Sequence, residues 1–126
     1  AGTTTQFHSM PGYPNGTNDD SLLGNIAWYD RNSGGETHAV GGKAANAFGM
    51  YDMSGNVMEW CNDWFHDYMY IDFGRIQPTG PATGLDRVLR GGGWYFYSFV
   101  CRSSKRSSFF PDNRDEYSGF RVARTP

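Results

Sequence analysis

Cysteine is scarce in this 126-residue sequence, with Cys61 and Cys101 the only two. That excludes a disulfide framework and a cysteine-built metal site. It leaves either two buried thiols or one bridge closing about 40 residues, for which the chain-entropy estimate is about 4 kcal/mol. An excess of charge is also missing: eleven Lys and Arg against thirteen Asp and Glu give a formal charge of −2 and a pI near 5.8. Such a balance offers no footprint for nucleic acid or an anionic membrane surface. No apolar run reaches the length of a membrane-spanning helix, so direct membrane insertion by this chain is not expected. Ala1 opens no signal peptide, and any export signal or lipid anchor is expected upstream. His8, His38 and His66 lack ligand spacing and read as solvated or hydrogen-bonded surface histidines.

Glycine and aromatic residues are what the chain has in quantity. Seventeen glycines and an aromatic fraction of 17% point to short segments joined by tight turns, a loop-rich β or α+β domain. Residues 1–25 mix Thr, Gly, Asn and Asp with Pro11 and Pro14, and read as an irregular surface segment. Ile26 to Tyr29 suggests a short strand and Asn32 to Gly35 a turn. In Asn46 to Cys61, turn chemistry at Asp52 to Asn56 is followed by an alternation that puts Val57, Glu59 and Cys61 on one strand face. A carboxylate at Glu59, between apolar neighbours, needs a partner. Asp52 and Glu59 can share one hard cation with turn carbonyls, as Ca²⁺ prefers, or Asp52 can cap the turn while Glu59 pairs with Arg87 or Arg121. Gln77 to Gly84 is a connection rich in Pro and Gly. Arg87 to Arg90 and Phe120 to Arg124 alternate charge with apolar residues and are read as two strands, central to a small twisted antiparallel sheet. Gly91 to Gly93 permit close backbone approach at a strand end.

The stretch from Arg87 to Arg124 divides into a frame and three inserts, Tyr95 to Val100, Ser107 to Phe110 and Asp115 to Ser118. The inserts are mostly Tyr, Phe and Ser, the composition of recognition loops, because Tyr gives a rigid face with a polar tip and Ser adaptable hydrogen bonds. Tyr95-Phe96-Tyr97 and Phe109-Phe110 put rings on both faces of any extended segment, unlike an ordinary buried strand. Each ring can bury about 150–250 Å². With seven rings in the inserts, half of them facing water give a patch on the order of 500 Å², at or above the largest apolar patch of an ordinary monomer. The competing reading is a structural module whose rings are buried.

The run NAFGMYDMSGNVMEW, from Asn46 to Trp60, together with the RVLRGG, CRS, PDNR and GFRVAR blocks, resembles the formylglycine-generating-enzyme family, sulfatase-modifying domains with a C-type-lectin-like fold. The resemblance implies an α+β fold of which residues 1–126 form the C-terminal part, with 87–124 as a variable region and a companion N-terminal segment of the same domain as partner. It places the two catalytic cysteine positions of those enzymes on Ser98 and Ser103, so that no copper-thiolate chemistry is expected and no cofactor is required. It also implies a structural calcium held by Asp52 and Glu59 with carbonyls of Gly55 and Val57. The chain further resembles the variable proteins of diversity-generating retroelements, in particular treponemal ones. In these, asparagine codons randomised at their adenines yield Tyr, Phe, Ser, Asp, Gly or Val but never Trp, Met, Gln, Lys or Glu. Gly93, Tyr95, Phe96, Tyr97, Ser98, Phe99, Val100, Ser107, Ser108, Phe109, Phe110, Asp115, Tyr117 and Ser118 all belong to the permitted set. Glu116 requires a lysine template codon.

The reading that results is a non-enzymatic display protein. Gly93, Tyr95, Phe96, Tyr97, Ser98, Phe99, Ser107, Ser108, Phe109, Phe110, Asp115, Glu116, Tyr117 and Ser118 form a diversified ligand-binding surface on one face of a fixed scaffold. The partner is an unknown protein or other macromolecule and not nucleic acid, and the resemblance implies a bacterial surface lipoprotein or a phage particle. The alternative is a formylglycine-generating or sulfoxide-synthase-like oxidoreductase.

Overall fold

The computed structural model describes residues 4–67 and 80–123. Tyr68, residues 77–79 of the connection and Arg124 lie outside the described residues. Four strands, β1 (Met58–Trp64), β2 (Arg87–Arg90), β3 (Ser107–Phe109) and β4 (Ser118–Gly119), form one sheet in the order β3-β2-β1-β4. Around it run long irregular segments and two 3-10 turns, Asp20–Asn25 and Ser98–Cys101.

β2 is central, as its sequence suggests. Val88 and Leu89 point to opposite faces and both are buried, so the strand is covered on each side. Arg87 and Arg90 keep its ends. Arg87 stacks its guanidinium 3.6 Å from the Trp64 ring and donates to the Asn62 carbonyl, and Arg90 donates to the Ser103 carbonyl at 3.1 Å. β1 pairs antiparallel with β2 through Glu59↔Arg90, Trp60↔Leu89 and Trp64↔Arg87, with an irregularity between Trp60 and Trp64. β3 pairs antiparallel with β2.

Two strand expectations are corrected. The sheet is mixed, because β4 lies parallel to β1 through Met58↔Ser118 and Glu59↔Gly119. It also ends at Gly119, so Phe120 to Ala123 is not a strand despite its alternation. Alternation builds a strand only where a neighbouring ladder and a covering layer exist, and Phe120 and Val122 are exposed. Insert two, expected as a loop, is instead the edge strand β3 at Ser107–Phe109.

Residues 1–25 are not merely a surface segment. The main core cluster is Phe7, Met10, Leu23, Ile26, Ala27, Tyr29 and Cys101, so this irregular stretch supplies three of its side chains. Complete burial of Phe7 and Leu23 is worth about 1.5–3 kcal/mol each. Asp19 starts the first 3-10 turn by accepting from the Ser21 amide at 2.9 Å. Ile26, Ala27 and Tyr29 are buried without a ladder: Ile26 and Ala27 donate to the Leu23 carbonyl, and the Tyr29 amide is taken by Asn32 Oδ1 at 2.8 Å. Side chains at a neighbouring turn satisfy that backbone, so no strand is needed. His8 is buried rather than a surface group, its Nδ1 bonded to the Ser9 carbonyl at 2.8 Å and its pKa lowered by loss of solvent. His38 stacks on Trp28 at 3.7 Å.

Asn56 ties these parts together. It sits at positive φ, 64°, a conformation Asn tolerates. Its amide donates to the Trp28 carbonyl at 2.8 Å and its carbonyl accepts from Trp94 at 2.7 Å. Its side chain exchanges two hydrogen bonds with the His38 backbone, at 2.9 and 3.0 Å. Beside it, a Cβ on Gly55 would lie 2.3 Å from the Trp28 carbonyl oxygen, so only glycine fits.

Candidate functional site

Insert one begins where the glycine run ends. A Cβ on Gly92 would lie 2.6 Å from Cys101 Sγ, so the two ends of the insert are in direct contact. Between them the backbone is pinned: Ser33 Oγ donates to the Trp94 carbonyl at 2.8 Å, and the Asp30 amide donates to the Phe96 carbonyl at 3.2 Å. Val100 and Cys101 are buried in the second 3-10 turn. The rings between these anchors face outward, with Tyr95, Tyr97 and Phe99 exposed by 61, 66 and 48%. They border a cavity of about 510 Å³ that also touches Asp30, Ser33 and Gly35.

Insert three joins this surface. Asp115 Oδ1 accepts from the Tyr117 amide at 3.0 Å, Asn113 donates to Asp115 Oδ2 at 2.6 Å, and the Tyr117 carbonyl accepts from Met58 at 2.8 Å. Tyr117 is thereby set against insert one, its ring centroid 5.1 Å from Tyr95, 5.4 Å from Trp94 and 5.7 Å from Phe96. The Tyr117 hydroxyl donates to the Glu116 carboxylate, which favours the protonated phenol and pushes its pKa up. Glu116 is exposed, whereas Asp115 is half-buried and spends both oxygens on the turn.

The second and third inserts lie apart in the sheet: β3 and β4 are at its opposite edges, three strand intervals or about 14 Å from each other. Phe109 and Phe110 are exposed at the β3 edge. Ser107 and Ser108 are half-buried, and Ser108 Oγ donates to Asp86. Ser118 is half-buried in β4. Gly93 is buried, its Cβ position 3.2 Å from the Asn56 carbonyl oxygen; it turns the chain and has no room for a recognition side chain. Ser33, which helps fix insert one, was legible only as a turn residue, and Asp30 carried no signal, since nothing in sequence links positions 30 and 33 to positions 94–96.

Ser98 and Ser103, which the sequence resemblance assigns to the catalytic cysteine positions, are both hydrogen-bonded: Ser98 Oγ donates to Asp20 Oδ2 at 2.7 Å, while Ser103 is exposed and its amide donates to the Gln6 carbonyl. Cys61 and Cys101 are free thiols, not a bridge. Burial pushes the Cys101 pKa up to about 12 and raises that of Cys61.

Asp52, Gly55, Val57 and Glu59 do come together, lining one cavity of about 640 Å³ with Arg121. Both oxygens of Glu59 accept from the Arg121 guanidinium, at 2.6–3.1 Å, and Arg121 also donates to the Asp52 carbonyl at 3.0 Å. Asp52 Oδ2 accepts from the Gly41 amide at 2.7 Å. Among the described residues no third His, Cys, Asp or Glu joins the pair to form a metal-binding group. The arrangement already holds a cation, the guanidinium, and does not fit calcium unless Arg121 leaves Glu59.

Residues 9–126 match the family model for the sulfatase-modifying factor enzyme 1-like domain. The formylglycine-generating enzyme of Streptomyces coelicolor is 42% identical over 81 residues, 62% of this chain and 26% of that protein. Treponema denticola variable protein 1 superimposes with a TM-score of 0.75 at 44% identity, covering 84% of this chain and 38% of that one. PvdO from Pseudomonas aeruginosa superimposes at 0.66 with 32% identity, covering 76% of this chain and 38% of that one. The chain thus spans about a quarter to two fifths of these relatives, and the α+β C-type-lectin-like fold is shared with them.

Proposed function

The chain belongs to the sulfatase-modifying factor enzyme 1-like family, and from that membership we propose that it is a non-enzymatic display module that binds a macromolecular ligand through its aromatic inserts. The observation that carries this is the exposure of Tyr95, Tyr97, Phe99 and Phe110 on backbone whose neighbouring frame is tightly anchored. Four large rings held outward leave much of their area in water, and they match what a binding surface uses: rigid apolar area with a polar tip and little entropy to lose. The likeness to Treponema denticola variable protein 1 supports diversification of these inserts, and with it a bacterial surface or phage setting.

Tyr95, Tyr97 and Tyr117 act as anchors around the cavity, with Glu116 as a polar contact at its border. Phe109 and Phe110 serve a second contact area. Gly93, Asp115 and Ser98 hold backbone and turns in place. A structural calcium ion enters this reading only by exchange with the Arg121 guanidinium.

Sequencing copies of the gene from related isolates tests the proposal. Substitutions confined to Tyr95–Phe99, Ser107–Phe110 and Asp115–Ser118 are the expected result, and changes spread evenly over frame and inserts would sink it. The oxidoreductase alternative rests on the formylglycine-generating relatives. Turnover of a thiol substrate with added copper or iron would establish it, and none is expected.

A further inference from the structure

We propose that the cavity beside insert one takes a cationic side chain, a lysine ammonium or an arginine guanidinium carried by a protein ligand, and that Asp30 supplies its counter-charge. The inference rests on the display reading and names the chemistry the displayed surface selects. Among the described residues that line the cavity, Asp30 is the one acid, and no Lys, Arg or His accompanies it. Much of the wall is aromatic, through Trp94, Tyr95, Tyr97 and Phe99. The face of such a ring carries the negative part of its quadrupole, so rings and carboxylate favour the same sign of charge in a guest. An uncharged aliphatic guest would cover the rings but gain nothing from Asp30, and an anion would be repelled by it.

Asp30 lacks the compensation that other half-buried acids of the chain have. Asp52, Glu59, Asp86 and Asp115 each accept from a donor. Asp30 is likewise half-buried, yet its Oδ1 is out of contact with solvent and has no hydrogen-bond partner. A carboxylate drawn partly out of water in this way needs an opposite charge or a donor, and a cation seated in the cavity would provide one. The acid is also held in place, because its amide donates to the Phe96 carbonyl at 3.2 Å. That bond runs between main-chain atoms, so Asp30 keeps its position whatever side chains insert one carries. Asp30 and Trp94 both lie outside the inserts. Selection for charge therefore resides in the frame, and selection for shape in the variable rings. A volume of about 510 Å³ has room for one long side chain and part of its neighbour.

The test titrates the chain with three probes, Nα-acetyl-lysinamide, Nα-acetyl-argininamide and the uncharged Nα-acetyl-norleucinamide, and follows the NMR signals of the Trp94 indole and the Asp30 and Phe96 amides. At least one cationic probe is expected to bind about fivefold or more tightly than the norleucine probe. The lysine and arginine arms decide which cation the cavity prefers. Asp30→Asn, which keeps the main-chain bond to Phe96, is expected to bring the cationic probes down to the norleucine level, with an unchanged Tm showing that the fold is intact. Equal affinity for all three probes would overturn the proposal, as would a cation preference that survives in Asp30→Asn or no binding of any probe at tens of millimolar. The display reading is judged separately. A lost cation preference leaves substitutions between isolates free to cluster in the inserts, and evenly spread substitutions would remove display while leaving the cation site.

Discussion

Gly92 and Cys101 lie so close that a single added carbon at Gly92 would sit 2.6 Å from the thiol sulfur and 2.9 Å from the Cys101 backbone. This contact closes insert one into a loop with a fixed base.

Replacing Gly92 with Ala is therefore expected to cost about 3 kcal/mol or more, the sum of a left-handed conformation and an overpacked contact. Gly34 is the control. Its φ of +68° nearly equals the +70° of Gly92, but nothing lies within 4 Å of its Cβ position. Gly34→Ala should cost only about 1–2 kcal/mol. Urea unfolding of the two variants separates strain from collision, and equal losses would show that the loop base is not rigid.

The inserts themselves should be tolerant. Phe110→Ser removes a ring that faces water and is expected to change stability by less than about 0.5 kcal/mol, whereas Tyr95→Ser, Tyr97→Ser and Phe99→Ser also lose a ring-to-ring contact and should cost no more than about 1.5 kcal/mol each. Leu89→Ala, in the buried centre of β2, should cost about 2–5 kcal/mol. A loss above about 2 kcal/mol for any insert ring would mean that the ring is core and not display surface.

Those contrasts mark how far the sequence could be read. β1, β2 and the turn at Asp52 to Asn56 were legible because alternation and turn chemistry act locally. The exposure of the inserts followed from their rings facing both ways. What was not legible depends on distant partners: Phe7 and Leu23 in the core, Ser33 locking Trp94, and the placement of inserts two and three at opposite edges of the sheet. Phe120 to Ala123 misled because alternation alone does not make a strand: β4 ends at Gly119, and Phe120 and Val122 are exposed.

Arg121 and Glu59 form a partly exposed ion pair, and the bonds to Glu59 raise the Arg121 pKa. Arg121→Ala should cost no more than about 1 kcal/mol, as solvent screens such pairs. The informative measurement is calcium dependence. Thermal unfolding of the native chain is expected to be indifferent to millimolar calcium, while Arg121→Ala, which frees both Glu59 oxygens, should gain stability with it. A calcium-dependent rise in the native chain would show that the ion displaces the guanidinium.

His8 gives the fold an acid sensitivity. Burial lowers its folded pKa below the ordinary 6.5, so the unfolded chain takes up a proton first. Stability is then fully present above about pH 6.5 and is lost as pH falls from there toward the folded value. His8→Asn keeps a donor for the Ser9 carbonyl without the titration, and should flatten the profile below about pH 6.5. An unchanged slope in that variant would assign the acid loss to the carboxylates.

Thiol chemistry offers the sharpest separation between display and catalysis. A nucleophilic or metal-binding cysteine needs a thiolate within reach of solvent at neutral pH. Cys101 has neither, being buried with a pKa of about 12, and Cys61 is half-buried with its pKa also raised. Alkylation of the native chain by iodoacetamide at pH 7.5 is expected to be slow at Cys61 and undetectable at Cys101 until the chain is unfolded, when both react alike. Rapid native labelling of Cys101 would require the base of insert one to open, because Gly92 packs directly on that sulfur. The scaffold would then be mobile where display needs it fixed, and an oxidoreductase using Cys101 would become the better reading.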